Sequence, residues 1–359
     1  MKQFRSIWII LAMAALAAGC AKTEYIPASE KEVTFTVGKY ATEITKTSPV
    51  SVDGITSFQS RGYLHAEGVS GTQDFFGADG ETISYDGTSL WQPSHPYYWP
   101  KGDNSYVNFV SWYANNGIVP TTVSETQFIV TREIAATDNI LIADEAWRYH
   151  ANAAEYYTSG VPTLFHHVLS RVQINFKATS TSDPDNASVT YDVILQNVSL
   201  QGIYRRGTMT LSNSDISDTG THEWYSIPSP TTLWETANGS NQTPFSLVSS
   251  NLTLGNQSNT VLELRSFMPQ VLGNGAKLSI TYTIVSKSGG TETARECDIP
   301  ATVVLNTIEN TDGVNINQWL PNRKYNYTIA INPVSAEIVL NPVVESNWED
   351  YLTMSAVVE

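Results

Sequence analysis

The chain has 359 residues, a formal net charge of −15 and only 15% charged residues. So acidic a chain repels nucleic acid phosphates, and without a basic cluster it has no electrostatic footprint for binding them. Ser, Thr and Asn are abundant and no segment sustains helical periodicity, which suits an exported β protein better than a cytosolic enzyme.

The chain opens Met1-Lys2-Gln3-Phe4-Arg5 and then runs apolar from Ile7 to Ala18. That run is several residues short of the about 20 needed to cross the hydrocarbon core, and two cations precede it, so residues 1–19 read as an export signal that is removed. Ala17-Ala18-Gly19 before Cys20 resemble a bacterial lipobox, with Leu16 one place early, which implies that Cys20 is lipidated and becomes the first residue. Cys297 is then left alone, no intrachain disulfide is possible, and stability must come from a core. The remaining 340 residues (359 less 19) suggest about two domains, and loss of Lys2 and Arg5 moves the formal charge from −15 to −17.

Residues 20–31 form a polar tether holding the protein off the membrane. Val33–Val37 is the first strand, with Val33, Phe35 and Val37 on one face; deleting it is expected to open a groove that accepts another strand. Lys39–Gly54, rich in Thr and Ser, is a loop of the kind proteases cut. A strand follows over Ile55–Ala66, a loop over Gly68–Gly80, and a hairpin over Thr82–Leu90 with its turn at Asp86-Gly87. Trp91, Tyr97, Tyr98, Trp99 and Trp112 admit two readings, an exposed carbohydrate platform or a core. The pattern Val107, Phe109, Ser111 against Asn108, Val110, Trp112 favours the core, as a strand Tyr106–Tyr113 buried on both faces. Gln127–Val130 is a short strand, and Ala136–Ala143 an apolar run led by a turn or cap residue.

Val161–Thr179 divides the chain. From Val172, the residues Ile174, Phe176 and Ala178 alternate with Gln173, Asn175 and Lys177, the period of a half-buried strand. Before it, Leu164, Phe165, Val168 and Leu169 are apolar on both parities, as where two domains meet. Beyond the turn Asp183–Ala187, strands are expected over Val189–Leu200, Gly207–Leu211, around Phe245, Leu247, Leu252 and Leu254, then over Thr260–Met268, Ala276–Ser286, Ala294–Val304, Lys324–Ile331 and Glu337–Val344. Pro342 argues that the last of these is an edge strand. A terminal stretch Tyr351–Val358 puts Leu352, Met354, Ala356 and Val358 on one face, and a strand at a chain end is the easiest to donate. About seven strands before the centre and about eight after it argue for an all-β chain of two consecutive sandwiches, 32–165 and 166–359.

Candidates for chemistry are few. His166 and His167 are adjacent on a strand and point to opposite faces, so they do not share a metal; His167 is expected to fill a polar slot at the junction. Asp138, Asp144 and Glu145 invite comparison with a glycosidase carboxylate pair, but Asp144 and Glu145 read as neighbours on a polar turn. There is no G-x-S-x-G, Walker loop or dinucleotide fingerprint. No catalytic residue, metal or cofactor is expected.

Four landmarks in order carry a resemblance: Tyr97-Tyr98-Trp99-Pro100 with Val107-Asn108-Phe109; Asp138–Ala143, D-N-I-L-I-A; Leu164, Phe165, His167, Leu169, Ser170, Val172 and Phe176; and Trp319–Ile331 with Ile338, Pro342 and Trp348. With a lipobox in front, this set resembles the fimbrillin family, the lipoprotein subunits and anchors of type V pili in Bacteroides-like bacteria. The resemblance implies two transthyretin-like β-sandwich domains and a surface-exposed outer-membrane lipoprotein held by its lipid on Cys20. It also implies assembly with other pilus subunits by donor-strand addition, or service as an anchor or tip, and adhesion to host or bacterial surface ligands. In that family a protease cuts after an Arg in the loop behind the first strand. Here the loop has Lys39 and Lys46 but no Arg, and the nearest Arg is Arg61 inside an expected strand, so Lys46 and Arg61 are the processing candidates. The alternative is a glycan-binding outer-membrane lipoprotein using the aromatic platform, and burial of those rings decides between the two.

Overall fold

The computed structural model describes residues 28–39, 55–87, 91–149, 160–212, 220–222, 234–236, 244–248, 250–273, 275–309, 315–336 and 338–345. In chain order the strands are β1 (Ala28–Glu32), β2 (Phe35–Lys39), β3 (Ser57–His65), β4 (Gln73–Asp74), β5 (Glu81–Tyr85), β6 (Trp91–Pro93), β7 (Tyr98–Pro100), β8 (Tyr106–Ala114) and β9 (Thr122–Val123). There follow β10 (Gln127–Glu133), β11 (Ile140–Ala143), β12 (Glu145–Tyr149), β13 (Val161–His167), β14 (Ser170–Ala178), β15 (Val189–Gln201), β16 (Arg206–Ser212), β17 (Gly220–His222), β18 (Trp234–Thr236) and β19 (Phe245–Val248). The last are β20 (Leu252–Leu254), β21 (Asn259–Phe267), β22 (Gln270–Val271), β23 (Lys277–Ser288), β24 (Thr291–Val304), β25 (Gln318–Trp319), β26 (Lys324–Ile331) and β27 (Ile338–Glu345). The all-β expectation holds. Twelve strands precede β13 rather than about seven, because pieces as short as β4 and β9 have no alternation to read.

In the N-terminal half one ladder runs β8-β11-β13-β2-β6-β5-β3, and β3 pairs back onto β8 from Gln59↔Trp112 to His65↔Tyr106. These strands therefore close into a ring. Inside it lies an aromatic core of Phe35, Phe58, Phe76, Trp91, Trp99, Phe109 and Phe165. A four-stranded sheet, β18-β16-β10-β9, covers part of the outside. The second core between them holds Val110, Trp112, Ile140 and Ile142 of the ring against Phe128, Val130, Met209, Leu211 and Trp234 of the cover. This explains why β8 and β11 read as continuous apolar runs. Val107, Phe109, Leu141 and Ala143 face the inner core while the alternate residues face the outer one.

In the C-terminal half the sheets β21-β14-β26-β27 and β19-β15-β23-β24 enclose a third core. Val193 and Leu195 point into it on odd positions but Val198 and Leu200 on even ones, because a bulge between Leu195 and Asn197 reverses the parity of β15. The chain passes from ring to sandwich at Val168-Leu169, both fully buried. There Trp234 Nε1 donates to the Val168 carbonyl (3.1 Å) and Ser170 Oγ to that of Leu320 (2.8 Å). Strands from either side of residue 165 also share a sheet, since β10 pairs with β16 from Gln127↔Ser212 to Glu133↔Arg206.

Two local expectations are corrected. Ala28–Glu32, expected within the tether, is a strand against β7, so an edge partner overrides a polar composition. Asp144-Glu145 is no polar turn: both residues are buried where β11 gives way to β12 along the same edge of β8. The buried Asp144 carboxylate is bonded to His166 Nε2 at 2.6 Å, a partner that sequence adjacency does not reveal.

Candidate functional site

The first strand lies between β13 and β6 in the ring. Val33 N–H donates to the Tyr97 carbonyl (2.8 Å), and after Thr34 the chain enters β2, which lies parallel to β13 from Phe35↔Val161 to Lys39↔Phe165. On its other side, among the described residues, β2 meets β6 at Phe35↔Trp91. The expected inward face is present: Val33, Phe35 and Val37 are buried, although the strand is broken at Val33-Thr34. Phe35 is the plug. Its ring is 5.4 Å from Phe109 and 5.7 Å from Phe58, both edge-on at 81° and 82°, and 6.4 Å from Phe76. Full burial of such a ring stabilises by about 1.5–3 kcal/mol, with more from edge-to-face geometry.

The approach of β2 to β13 depends on Gly160. It has φ +77°, and a Cβ there would lie 2.8 Å from the Phe35 carbonyl carbon, so any other residue displaces the first strand. Sequence reasoning passed over this glycine, although its place directly before an apolar strand was the available signal.

A polar cluster borders the groove. Glu81 accepts from Ser94 Oγ (2.8 Å), Tyr97 Oη (3.0 Å) and the Thr82 N–H (3.2 Å). Burial first, and then the Glu81 carboxylate, push the Tyr97 phenol up to about 12. Glu81 itself is held below its ordinary value: burial works against this, but the bonds from Ser94 and Tyr97 outweigh it. A cleft of about 390 Å³ opens beside the cluster, with Glu32 and Val33 on one wall and Tyr85, Asp86 and Gln92 on the other.

The aromatic platform is not formed. Trp91, Trp99 and Trp112 are buried, Tyr97 is partly buried against the inner core, and of the five only Tyr98 is exposed, at 39%. Arg61 lies within β3, opposite Val110, and donates to the Val123 carbonyl (3.1 Å), so scission there requires β3 to leave the ring. Cys20, Lys46, Leu352, Met354, Ala356 and Val358 lie outside the described residues. His166 and His167 are both buried, His166 on Asp144 and His167 Nδ1 3.0 Å from Asn139 Oδ1. Asp138 is a structural carboxylate with no exposure. It accepts from Arg132 Nε (3.0 Å) and Nη2 (3.2 Å), Ala135 N–H (2.9 Å) and Asn116 Nδ2 (2.9 Å). Burial raises its pKa, yet these donors hold it below the ordinary carboxylate value.

Residues 63–348 match the fimbrillin-like family. A fimbrial protein from Bacteroides vulgatus superposes with a TM-score of 0.55 at 14% identity, over 89% of this chain and 99% of that one. At that identity the likeness speaks for the fold alone. A candidate cell adhesion protein from Bacteroides uniformis gives 0.44 at 14% identity, over 89% and 98% of the two chains. The fimbrial anchor protein Mfa2 from Porphyromonas gingivalis gives 0.28 at 11% identity, over 88% and 98%. No curated protein matches the chain.

Proposed function

The chain belongs to the fimbrillin-like family, and from that premise we propose that it is a non-enzymatic cell-surface pilus component with a role in adhesion, joining other pilus subunits by strand addition or serving as an anchor or tip. The observation that supports this is the position of β2, a member of a closed ring that is laddered to β13 along its length and, among the described residues, to β6 at Phe35↔Trp91. Its removal would leave the backbone groups of β13 unpaired beside an aromatic groove, and a strand from another subunit satisfies both. The chain is read as two sandwich units, 32–165 and 166–359, joined through the β10–β16 sheet. Tyr351–Val358 is the proposed donor, and Lys46, in the stretch between β2 and β3, the proposed processing position. Arg61 is disfavoured by its place inside β3.

The test is deletion of residues 28–39, followed by size-exclusion chromatography and electron microscopy. Expected are oligomers that a synthetic 28–39 peptide returns to monomers; a deletion variant that stays monomeric and as stable as the parent rejects the reading. Truncation after Glu349 tests the donor: lost polymers with an intact monomer support it, whereas an unfolded monomer or undiminished polymers reject it. The anchor is a lipid on Cys20, since two or three acyl chains give stable attachment to the outer membrane. Cys20→Ser is expected to move the protein to the soluble fraction, and unchanged membrane association overturns the assignment.

A further inference from the structure

A second feature lies away from the groove, where the chain crosses between its halves. Phe245 opens β19 and pairs with Leu200 of β15. Two guanidiniums lie over its ring, Arg205 with Cζ 4.9 Å from the centroid and Arg265 with Cζ at 4.8 Å. Arg265 also lies 5.1 Å from the ring of Phe267, which meets Phe245 edge-on at 5.9 Å and 73°. These side chains come from three separate segments: β19, β21 and the residues leading into β16.

Among the described residues one acid answers the two cations. Glu133, at the end of β10, pairs with Arg205. Among the described residues Arg265 makes no ion pair and its guanidinium no hydrogen bond, and its Nε is buried. A partly buried guanidinium that has given up water without gaining an acceptor is costly, and a second cation beside it adds repulsion. Burial first, and then the charge of Arg205, weaken the hold of Arg265 on its proton. The chain is not short of carboxylates, with 35 acidic side chains against 20 Lys and Arg. Yet among the described residues none is placed to meet Arg265.

We propose that Arg205 and Arg265 form a binding site for an oxyanion, a carboxylate or sulfate group whose paired oxygens meet the guanidinium forks above Phe245 and Phe267. The rings hold both guanidiniums in place, so little rotamer freedom remains to be lost on binding. Planar forks match two oxygens of one acid group, which a lysine at either position does not do. The group is either a free inorganic ion or the acid of a sugar such as a uronic acid.

The purified full-length protein is titrated with sodium sulfate, sodium acetate and sodium glucuronate at constant ionic strength, balanced with chloride, and the melting temperature is followed. A saturable rise is expected with at least one of the three oxyanions and not with chloride. A stronger response to glucuronate than to acetate assigns the site to a sugar acid, and a response to sulfate with acetate and glucuronate alike assigns it to the free ion. Arg265→Gln is expected to abolish the saturable response and to melt in chloride no lower than the parent, because it removes an unanswered charge. Arg205→Lys, which keeps the charge and loses the fork, is expected to weaken the response several-fold. Melting that follows ionic strength alone overturns the proposal. So does an Arg265→Gln protein that responds as the parent does, or one that is destabilised in chloride, which makes Arg265 a packing element only.

Discussion

Among the described residues each half of the molecule contains one parallel strand pair, and the two are supported differently. In the C-terminal half β26 runs beside β14 from Lys324↔Arg171 to Ile331↔Ala178, and its other edge is laddered along its whole length to β27, from Lys324↔Glu345 to Ile331↔Ile338. In the N-terminal half β2 follows β13 over five residues, and among the described residues its other edge meets β6 only at Phe35↔Trp91. The first arrangement is a locked interior strand. The second, among the described residues, is a strand with one full ladder and one buried ring, and under the proposed assembly it is the strand that a competitor would displace. The two parallel pairs thus differ, among the described residues, in what supports their second edge.

Ile329→Asp should break the comparison at its strong end. The side chain is fully buried in the sandwich, so an unpaired carboxylate there is expected to cost about 5 kcal/mol or more and to leave no folded C-terminal half, read by circular dichroism and proteolysis. Phe35→Ala acts at the weak end, with an expected loss of about 3–5 kcal/mol for a large ring removed from an aromatic cage. The outcome should differ in kind as well as size: oligomers seen by light scattering, with the C-terminal half still folded. Gly160→Ala leaves every ring in place and displaces only backbone. A residue with a Cβ at positive φ costs about 1–2 kcal/mol, and the contact with Phe35 adds to it, so β2 should show faster amide exchange while β26 is unchanged.

The smallest effect is expected from Tyr97→Phe, which removes the bond to Glu81 beside the first strand and costs about 1 kcal/mol. Its pH dependence has a definite sign. The phenol titrates near 10.0 when unfolded and at about 12 when folded, so its contribution is complete below pH 10 and fades as the pH rises toward 12. Alkaline melting curves of the variant should lose that part of the pH dependence, and an unchanged curve would show that Tyr97 does not hold the groove.

Much of this was legible from residue order. The inward triad Val33, Phe35, Val37 and the two-sided burial of β8 follow from side-chain period, a local property; the hairpin signalled by Asp86-Gly87 was legible in kind, but its second strand is β6, past the expected end at Leu90. The edge position of β27 was legible through Pro342, which cannot donate to a ladder. By contrast, β1 was hidden in a polar stretch because its stability comes from β7, some seventy residues away. The carboxylates of Asp144 and Asp138 were ambiguous because their partners, His166, Arg132 and Asn116, are chosen by folding.

The sequence by itself determined the class of structure and the alternation of buried and exposed positions along most strands, since these depend on the order of apolar and polar side chains along a backbone of period two. Only the tertiary structure decided which edges meet: that β3 returns to β8 and closes a ring, that β2 is inserted between β13 and β6, and that Arg205 and Arg265 converge on Phe245. Strand pairing is satisfied by backbone groups that every residue carries, so the choice of partner is set by how distant apolar faces close over one another, and no local pattern encodes it.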